Sequence, residues 1–323
     1  MRPPRPAAGS SSAAPTPCCG TPRARRPRCW RRARPSGSSV PELRVVAAGP
    51  QTTVQDRGRP GHAHLGVPRS GALDQGALRQ ANLLVGNDAT AAALECLLGG
   101  LRFTVDHAVT VAVTGGLAQV SVAGRAAPWG SAVSVRAHEE VALGPVTVGL
   151  RAYVGIAGGI DVAPVLGSRS GDVLSGVGPA PLADADTLPV GPASGRPSAA
   201  EIAPPTPGRR ELRLRLGPRE DWFEPRAIDS LDGATYAVGE RSNRIGLRLE
   251  GAPIGWRGAE ELPSEGMVLG AVQVPPDGQP VLFLHDHPVT GGYPVVGVVE
   301  EADLAVCAQL RPGERVRLRI IGS

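Results

Sequence analysis

Lysine is absent: all 34 basic side chains among the 323 residues are arginine. The chain therefore carries no P-loop lysine, no Schiff-base lysine and no lysine for biotin attachment. If a nucleotide, a pyridoxal cofactor or biotin takes part in its chemistry, another chain holds the essential lysine or arginine replaces it. Aromatics make up only 3%, whereas Gly 43 and Pro 33 together approach a quarter of the chain. That balance excludes a helical bundle or a coiled coil and implies many turns between short strands. No apolar run reaches the roughly 18 residues that a membrane-spanning helix needs. Cysteine is sparse in the body, where only Cys96 and Cys307 remain. Two isolated cysteines make neither a disulfide framework nor a zinc spacing, and buried thiols in a reducing cytoplasm are the default reading.

Acidic residues are missing from one stretch. Residues 1–39 hold nine arginines, three cysteines and no Asp or Glu. Without them the net charge of +4 becomes −5, so the basic pI of 9.1 describes the tail and the body is mildly acidic. No basic face suited to nucleic acid remains. Pro, Ser, Ala and Arg cannot bury enough surface to fold. The tail is expected to be disordered, or translated from upstream of the true start. A targeting segment is the alternative, although no apolar region of a secretory signal is present.

The body, 41% apolar over the whole chain, is globular in composition and divides in two. A strand is expected at Leu43–Val46. Asp74 to Asn87 reads as a helix, with Asp74 as N-cap, Ala77, Leu78, Ala81, Leu84 and Val85 on one face, and Gly86-Asn87 as the stop. A second short helix is expected over Thr90–Leu97, carrying Glu95. The period then changes to strands at Leu101–Val105, Thr110–Val113, Ala118–Val122, Ala132–Val135 and Val146–Val154. From about Gly191 to residue 210 the composition is that of a linker. The second series covers Leu212–Leu216, Thr235–Val238, Gly246–Leu249, Gly266–Val274, Val281–Leu284, Val295–Val299 and Arg315–Ile320. Strands at this spacing imply a closed or nearly closed barrel. The expected organisation is a tail (1–39), an N-terminal subdomain (42–190), a linker (191–210) and a C-terminal subdomain (211–321).

Several motifs carry chemistry or its bland counterpart. Gln55-Asp56-Arg57-Gly58-Arg59 sets a carboxylate between two arginines, either to orient an anionic substrate or to stabilise a turn. His62/His64 and His285/His287 form i, i+2 pairs, read as positions sharing one face of a strand, without a third ligand nearby, so no metal site is expected. His287, beside Asp286 and before a proline, is the better acid–base candidate. Gly115-Gly116 and the Gly155–Gly159 cluster fit no dinucleotide or phosphate loop and read as tight turns. The segment 262–294 is the most informative. Ser264-Glu265 opens it, a strand of about eight residues carries Gln273, and Asp286, His287 and Thr290-Gly291-Gly292-Tyr293 follow. Polar groups at strand ends beside adjacent glycines point to a site on a rigid barrel.

These residues carry a resemblance. Gly49-Pro50-Gln51-Thr52-Thr53-Val54-Gln55-Asp56-Arg57-Gly58-Arg59, the run from Gly66 to Asn87, Leu94-Glu95, Gly167-Ser168-Arg169-Ser170, the segment from Gly217 to Phe223, and Ser242 to Leu249 lead in order to the 264–294 segment. Over about 43–320 the body resembles the C-subunit family of bacterial 5-oxoprolinase, also called KipA-like or allophanate hydrolase subunit 2-like proteins. The same module forms half of the carboxyltransferase domain of biotin-dependent urea carboxylases. The resemblance implies a mainly β (β-rich α+β) architecture of two subdomains, the C-terminal one a cyclophilin-like barrel. It implies two partners, the KipI-like B subunit of that enzyme, and its A subunit. With them the chain would convert 5-oxo-L-proline, ATP and water to L-glutamate, ADP and phosphate in the cytoplasm. ATP would be shared with a partner, and no biotin would be attached here. The expected site comprises Asp286, Glu265 and His287 as catalytic groups. Gln273, Tyr293, Gly291, Gly292, Arg219, Arg244, Gln55 and Asp56 would bind substrate, with Arg219 or Arg244 as anion clamp. The family often has Asp-Arg where this chain has Asp286-His287, which removes a fixed positive charge. Carboxyl transfer from biotin to urea, and a regulatory role sequestering a kinase-inhibitor partner, stand as alternatives.

Overall fold

A computed structural model describes residues 40–206, 210–217, 219–258 and 262–322 of the chain. The tail expected at 1–39 lies outside the described residues. Among them no helix is long and apolar enough to cross a membrane.

The first half is one nine-stranded sheet. Its strands are β1 (Glu42–Ala48), β2 (Gln51–Gln55), β3 (Ala93–Leu97), β4 (Leu101–Val105), β5 (Val109–Val122), β6 (Arg125–Ala127), β7 (Val133–Val135), β8 (Glu140–Ile156) and β9 (Thr187–Pro189). The order is β2-β3-β8-β4-β1-β9, and β5 pairs with β6, β7 and β8. Alternation places the side chains: in β4, Leu101, Phe103 and Val105 point into the core while Arg102 points to solvent. Helix α1 (Gln75–Leu84) packs on β5 and β8. Its N-cap is Asp74, whose carboxylate accepts the Ala77 N–H at 2.9 Å.

The second half closes into a seven-stranded barrel in the order β10-β17-β14-β15-β12-β11-β18. Its strands are β10 (Glu211–Leu216), β11 (Thr235–Val238), β12 (Gly246–Glu250), β14 (Ala271–Gln273), β15 (Val281–Phe283), β17 (Val295–Val299) and β18 (Arg315–Ile321). Two short strands, β13 (Glu265–Gly266) and β16 (Thr290–Gly291), pair outside the barrel. Helices α2 (Pro225–Leu231) and α3 (Leu304–Gln309) complete it. Closure comes from the parallel pairing of β10 with β18, which removes both sheet edges. Leu212, Leu214, Val316 and Leu318 fill the interior. The outward arginines of β10 meet carboxylates, Arg213 with Asp303 at 2.8 Å and Arg215 with Glu300 at 3.0 Å.

Four expectations change. Ala93–Leu97 is a strand, not part of a second helix: β3 lies between β2 and β8, and its first four residues are buried. Burial on both faces leaves no polar stripe, so a buried strand imitates a short helix. Gly115-Gly116 is not a turn but an irregularity inside one long strand, and the two strands expected on either side are both β5. A Cβ on Gly115 would stand 2.7 Å from the Arg151 carbonyl oxygen, so glycine is required there. The strand expected at 266–274 is interrupted, with Gly270 at φ +83° separating β13 from β14. Neither histidine pair lies on a strand: His62 and His64 belong to a 3-10 turn, and His285 and His287 to the turn after β15. The stretch from Gly191 to Ile202 is held to the first half by backbone bonds, Ser198 to Leu84 at 2.8 Å and Ile202 to Gly130 at 2.9 Å.

Where α1 crosses β8, Gly155 removes the side chain. A Cβ there would meet the Ala81 carbonyl oxygen at 2.6 Å. Gly155→Ala is expected to lower stability by about 1–3 kcal/mol, read as the shift in urea midpoint at unchanged m-value.

Candidate functional site

The two halves meet around one buried guanidinium. Arg244 lies just before β12, and the β12–β15 ladder continues past its last pair, so the Asp286 amide reaches the Arg244 carbonyl at 3.1 Å. The side chains face each other as well. Arg244 Nε donates to Asp286 Oδ2 and Nη2 to Oδ1, both at 2.9 Å. From the first half, Glu95 Oε1 accepts from Arg244 Nη1 and the Gly71 carbonyl accepts from Nη2 at 2.7 Å. Both Arg244 and Asp286 are buried, at 1% and 0% exposure. Register brings in the next groups. Tyr153 stands opposite Glu95 on β8 and donates its hydroxyl to Glu95 Oε2 at 2.8 Å, which also accepts the Leu73 N–H at 2.9 Å. Arg151 lies 3.6 Å from Glu95. Burial alone would push the Glu95 carboxyl up, but Arg244 and Arg151 together hold it below the usual carboxylate range.

Asp286 is the hub of four loops. Besides Arg244, its carboxylate accepts the Ser70 hydroxyl at 2.9 Å and the Val173 N–H at 3.1 Å. Ser70 itself takes a left-handed backbone, φ +50°. Its N–H donates to the His285 carbonyl at 2.9 Å and its hydroxyl also lies 3.1 Å from the Gly171 carbonyl. Gln55 donates to that same carbonyl at 2.9 Å. Asp56 organises the adjacent turn: its carboxylate accepts the Gly58 N–H at 2.7 Å, and the Ser168 hydroxyl, the Ser170 hydroxyl and the Arg169 N–H at 2.6 Å each.

This geometry revises the expected roles. With four donors on its two oxygens, Asp286 has no lone pair left for proton transfer and acts as a positioning group. Arg244 spends four of its five N–H donors inside the protein, so it is an internal tie and not an anion clamp. Asp56 fits the turn-stabilising alternative. Arg219 pairs with Glu265, its Nε 3.3 Å from Oε2; both are partly exposed, and each neutralises the other. Glu265 lies on β13 opposite Gly291 of β16. Behind that pair, Gln273 Nε2 donates to the Tyr293 carbonyl at 3.1 Å, and a Cβ on Gly291 would stand 2.5 Å from it. Gly292 follows in the loop, and the Tyr293 ring is tilted against Trp256 at 6.4 Å. The expected residues therefore form two groups. Gln55, Asp56, Arg244, Asp286 and His287 share the inter-half cluster, while Arg219, Glu265, Gln273, Gly291, Gly292 and Tyr293 surround the β13–β16 pair. Phe283 joins them, stacking on His287 at 5.9 Å and packing with Met267.

His287 keeps its candidacy. Burial, with the Arg69 charge adding to it, holds its pKa below the ordinary histidine range despite the nearby Pro288 carbonyl and the Asp286 and Asp172 charges. The ring is neutral at pH 7. Nδ1 stands 2.7 Å from the Pro288 carbonyl, an acceptor, so Nδ1 carries the proton and Nε2 a free lone pair. His285 is pushed further down by burial and by Arg244, Arg69 and His287. Sequence reading passed over Glu95, Ser70, Arg151 and Asp172 as site residues. Leu94-Glu95 was visible as a motif, and Asp172 stands two residues after the Gly167-Ser168-Arg169-Ser170 motif, but nothing local tells that either side chain is buried.

Two outcomes follow. Arg244→Met leaves buried Asp286 without its ion-pair partner and Glu95 with Arg151 alone, and is expected to cost about 3–5 kcal/mol, measured by urea unfolding. His285 and His287 are neutral when folded but take protons once unfolded, below about pH 6.5. The unfolded chain then binds more protons, so stability falls as pH drops from that point. His285→Gln is expected to flatten that decline in a series of unfolding curves from pH 7.5 to 5.

Residues 65–320 match the model of the carboxyltransferase domain, subdomains A and B. The chain is 37% identical to the C subunit of 5-oxoprolinase from Escherichia coli, covering 85% of this chain and 89% of that protein. It is 32% identical to urea amidolyase of Lachancea kluyveri, covering 84% of this chain but 16% of that one. Among solved structures, the Kluyveromyces lactis urea amidolyase superposes with a TM-score of 0.79 at 30% identity, over 88% of this chain and 19% of that chain. The protein designated TTHA0988 also gives 0.79, at 34% identity, over 89% and 56%. The chain thus spans about a fifth of the first of these structures and just over half of the second. It belongs to the family of carboxyltransferase domains built from subdomains A and B.

Proposed function

We propose that the chain is the C subunit of an ATP-dependent 5-oxoprolinase, acting in the cytoplasm with the A subunit, and with a KipI-like B subunit, of that enzyme. One observation carries this reading. The match to a C subunit of 5-oxoprolinase is 37% identical and covers 89% of that protein, whereas the urea amidolyase match is 32% identical and covers 16% of that one. In the proposed reaction the lactam oxygen of 5-oxo-L-proline takes the γ-phosphoryl group of ATP and ADP leaves. Water then adds to the activated carbon and the C–N bond breaks with a proton going to nitrogen, giving the γ-glutamyl phosphate, and a second water hydrolyses that acyl phosphate to L-glutamate and phosphate. His287 Nε2, neutral and carrying its lone pair, is the group on this chain suited to take the proton of the attacking water. Asp286 would fix the loop that carries it. A chain without lysine has no P-loop cation, so the phosphates of ATP are assigned chiefly to a partner. Carboxyl transfer from a biotin carried elsewhere to urea is the second reading, favoured by the urea amidolyase likeness over 84% of this chain.

The test is release of phosphate and glutamate from ATP and 5-oxo-L-proline by this chain with its own A and B partners. Activity is expected only in the full mixture. His287→Asn is expected to lower kcat at least about a hundredfold, the span that a general base supplies, with the complex still intact on gel filtration. A stable assembly that is inactive on 5-oxoproline but carboxylates urea when given a biotin carboxylase would replace the first reading with the second.

A further inference from the structure

Most polar atoms in the inter-half cluster have partners, and the exceptions are concentrated. Arg59 is 1% exposed and Asp172 4%. The Arg59 guanidinium donates through Nε to the Val165 carbonyl at 3.3 Å and through Nη2 to the Ser170 carbonyl, but Nη1 has no partner. The Asp172 carboxylate accepts the Leu174 and Ser175 N–H groups on Oδ1, both at 2.8 Å, but Oδ2 has none. The two residues lie within electrostatic reach of each other and of Asp286, yet no hydrogen bond or ion pair joins them. An unmet buried charge is costly enough that opposite groups normally pair directly or hold something between them. The backbone is shaped to this end. Arg59 N–H donates to the Arg69 carbonyl and Asp172 N–H to the Val177 carbonyl at 3.0 Å. Gly178, at φ +88°, passes so close that a Cβ would lie 3.1 Å from Arg59 Nη2. Arg69 Nε and His285 Nδ1, also unmatched, belong to the same group of loops.

We propose that Arg59 Nη1 and Asp172 Oδ2 form a donor–acceptor pair that binds the edge of a cis-amide. The carbonyl oxygen of the ligand accepts from Arg59 and its N–H donates to Asp172. A lactam and a urea both present this edge; an ester, a ketone or an N-alkylated lactam does not. The choice of a lactam rests on the 5-oxoprolinase reading, whereas the demand for an N–H beside a C=O comes from the unmatched atoms. Arg59 is then a group that meets the carbonyl on which the reaction would occur, and Asp172 a specificity-determining one. An ordered water bridging the two is the alternative occupant.

Ligand-observed NMR with the full chain, alone and assembled with its partners, compares 2-pyrrolidinone with N-methyl-2-pyrrolidinone. The first is expected to bind at least tenfold more tightly. In Asp172→Asn the amide oxygen must stay on the Leu174 and Ser175 N–H groups, so its NH2 replaces the free acceptor with a donor. That variant is expected to erase the tenfold preference while keeping the wild-type unfolding midpoint within a few degrees. Equal binding of the two lactams by wild type, or no binding of 2-pyrrolidinone to either chain or assembly, overturns the proposal in favour of a bridging water. Neither ligand comparison depends on a variant that folds. If the assembly turns over 5-oxoproline while the lactams bind equally, the subsite is wrong and the 5-oxoprolinase reading stands. If it does not turn over and the N–H preference is present, the reverse holds.

Discussion

Arg244 ties the two halves through a single planar cation. One edge of the guanidinium is fixed by Asp286, from the barrel's own turn, and the other reaches Glu95, from the middle of the first sheet. Burial alone would raise the Glu95 carboxyl, and the cations against it hold it below the usual carboxylate range. The Arg244 pKa is raised, although burial alone would lower it, because Glu95 and Asp286 outweigh the lost solvation. A buried ion network of this kind adds little net stability over an apolar contact of the same volume. What it supplies here is a fixed relation between four loops: 56–59, 69–73, 170–178 and 284–287 all hydrogen-bond to Arg244, to Asp286 or to a group one step away. A second tie, independent of charge pairing, lies at α3. Gln309 Oε1 accepts the Leu150 and Arg151 N–H groups at 2.9 and 3.0 Å, and Nε2 donates to Asp74 and the Arg151 carbonyl at 3.0 and 3.1 Å. One amide thereby satisfies both its donors and both its acceptor positions across the junction.

Much of the fold was legible because two signals coincide. In β10 and β18, Leu or Val alternates with Arg, and the apolar half points into the barrel; period two with turn residues on either side leaves few alternatives. Asp74 was visible as a cap for the same local reason. The misses share a cause. β3 is apolar around its single acid because it lies between two strands, and Glu95 is tolerated there through Arg244, 149 residues away in sequence, and Arg151 on β8. The Gly115-Gly116 pair looks like a turn in sequence because glycine signals both a reversal and a close approach; only the Arg151 carbonyl beside it distinguishes them. Pairings of that range carry no periodicity.

The candidate residues fall into two clusters, and their hydrogen-bond partners were not legible. The 264–294 segment and the Gln55–Arg59 run contribute residues to those clusters. Sequence reading ranks residues by what their side chains can do, so Asp286, Arg244 and Asp56 stood out. Structure ranks them by what remains unused. Asp286 and Asp56 each accept four donors and Arg244 spends four of its five N–H groups internally, while open atoms remain on their neighbours: His287 Nε2, Arg59 Nη1 and Asp172 Oδ2.

Lysine's absence sharpens that distribution. Every fixed cation in the cluster is a planar guanidinium with directional donors, and none is a compact ammonium that swings on a flexible stem. Guanidinium donors can be divided between structure and ligand, some edges tied to carbonyls and one left open, as Arg59 does with Val165 and Ser170. An ammonium at the same place would rotate to satisfy itself.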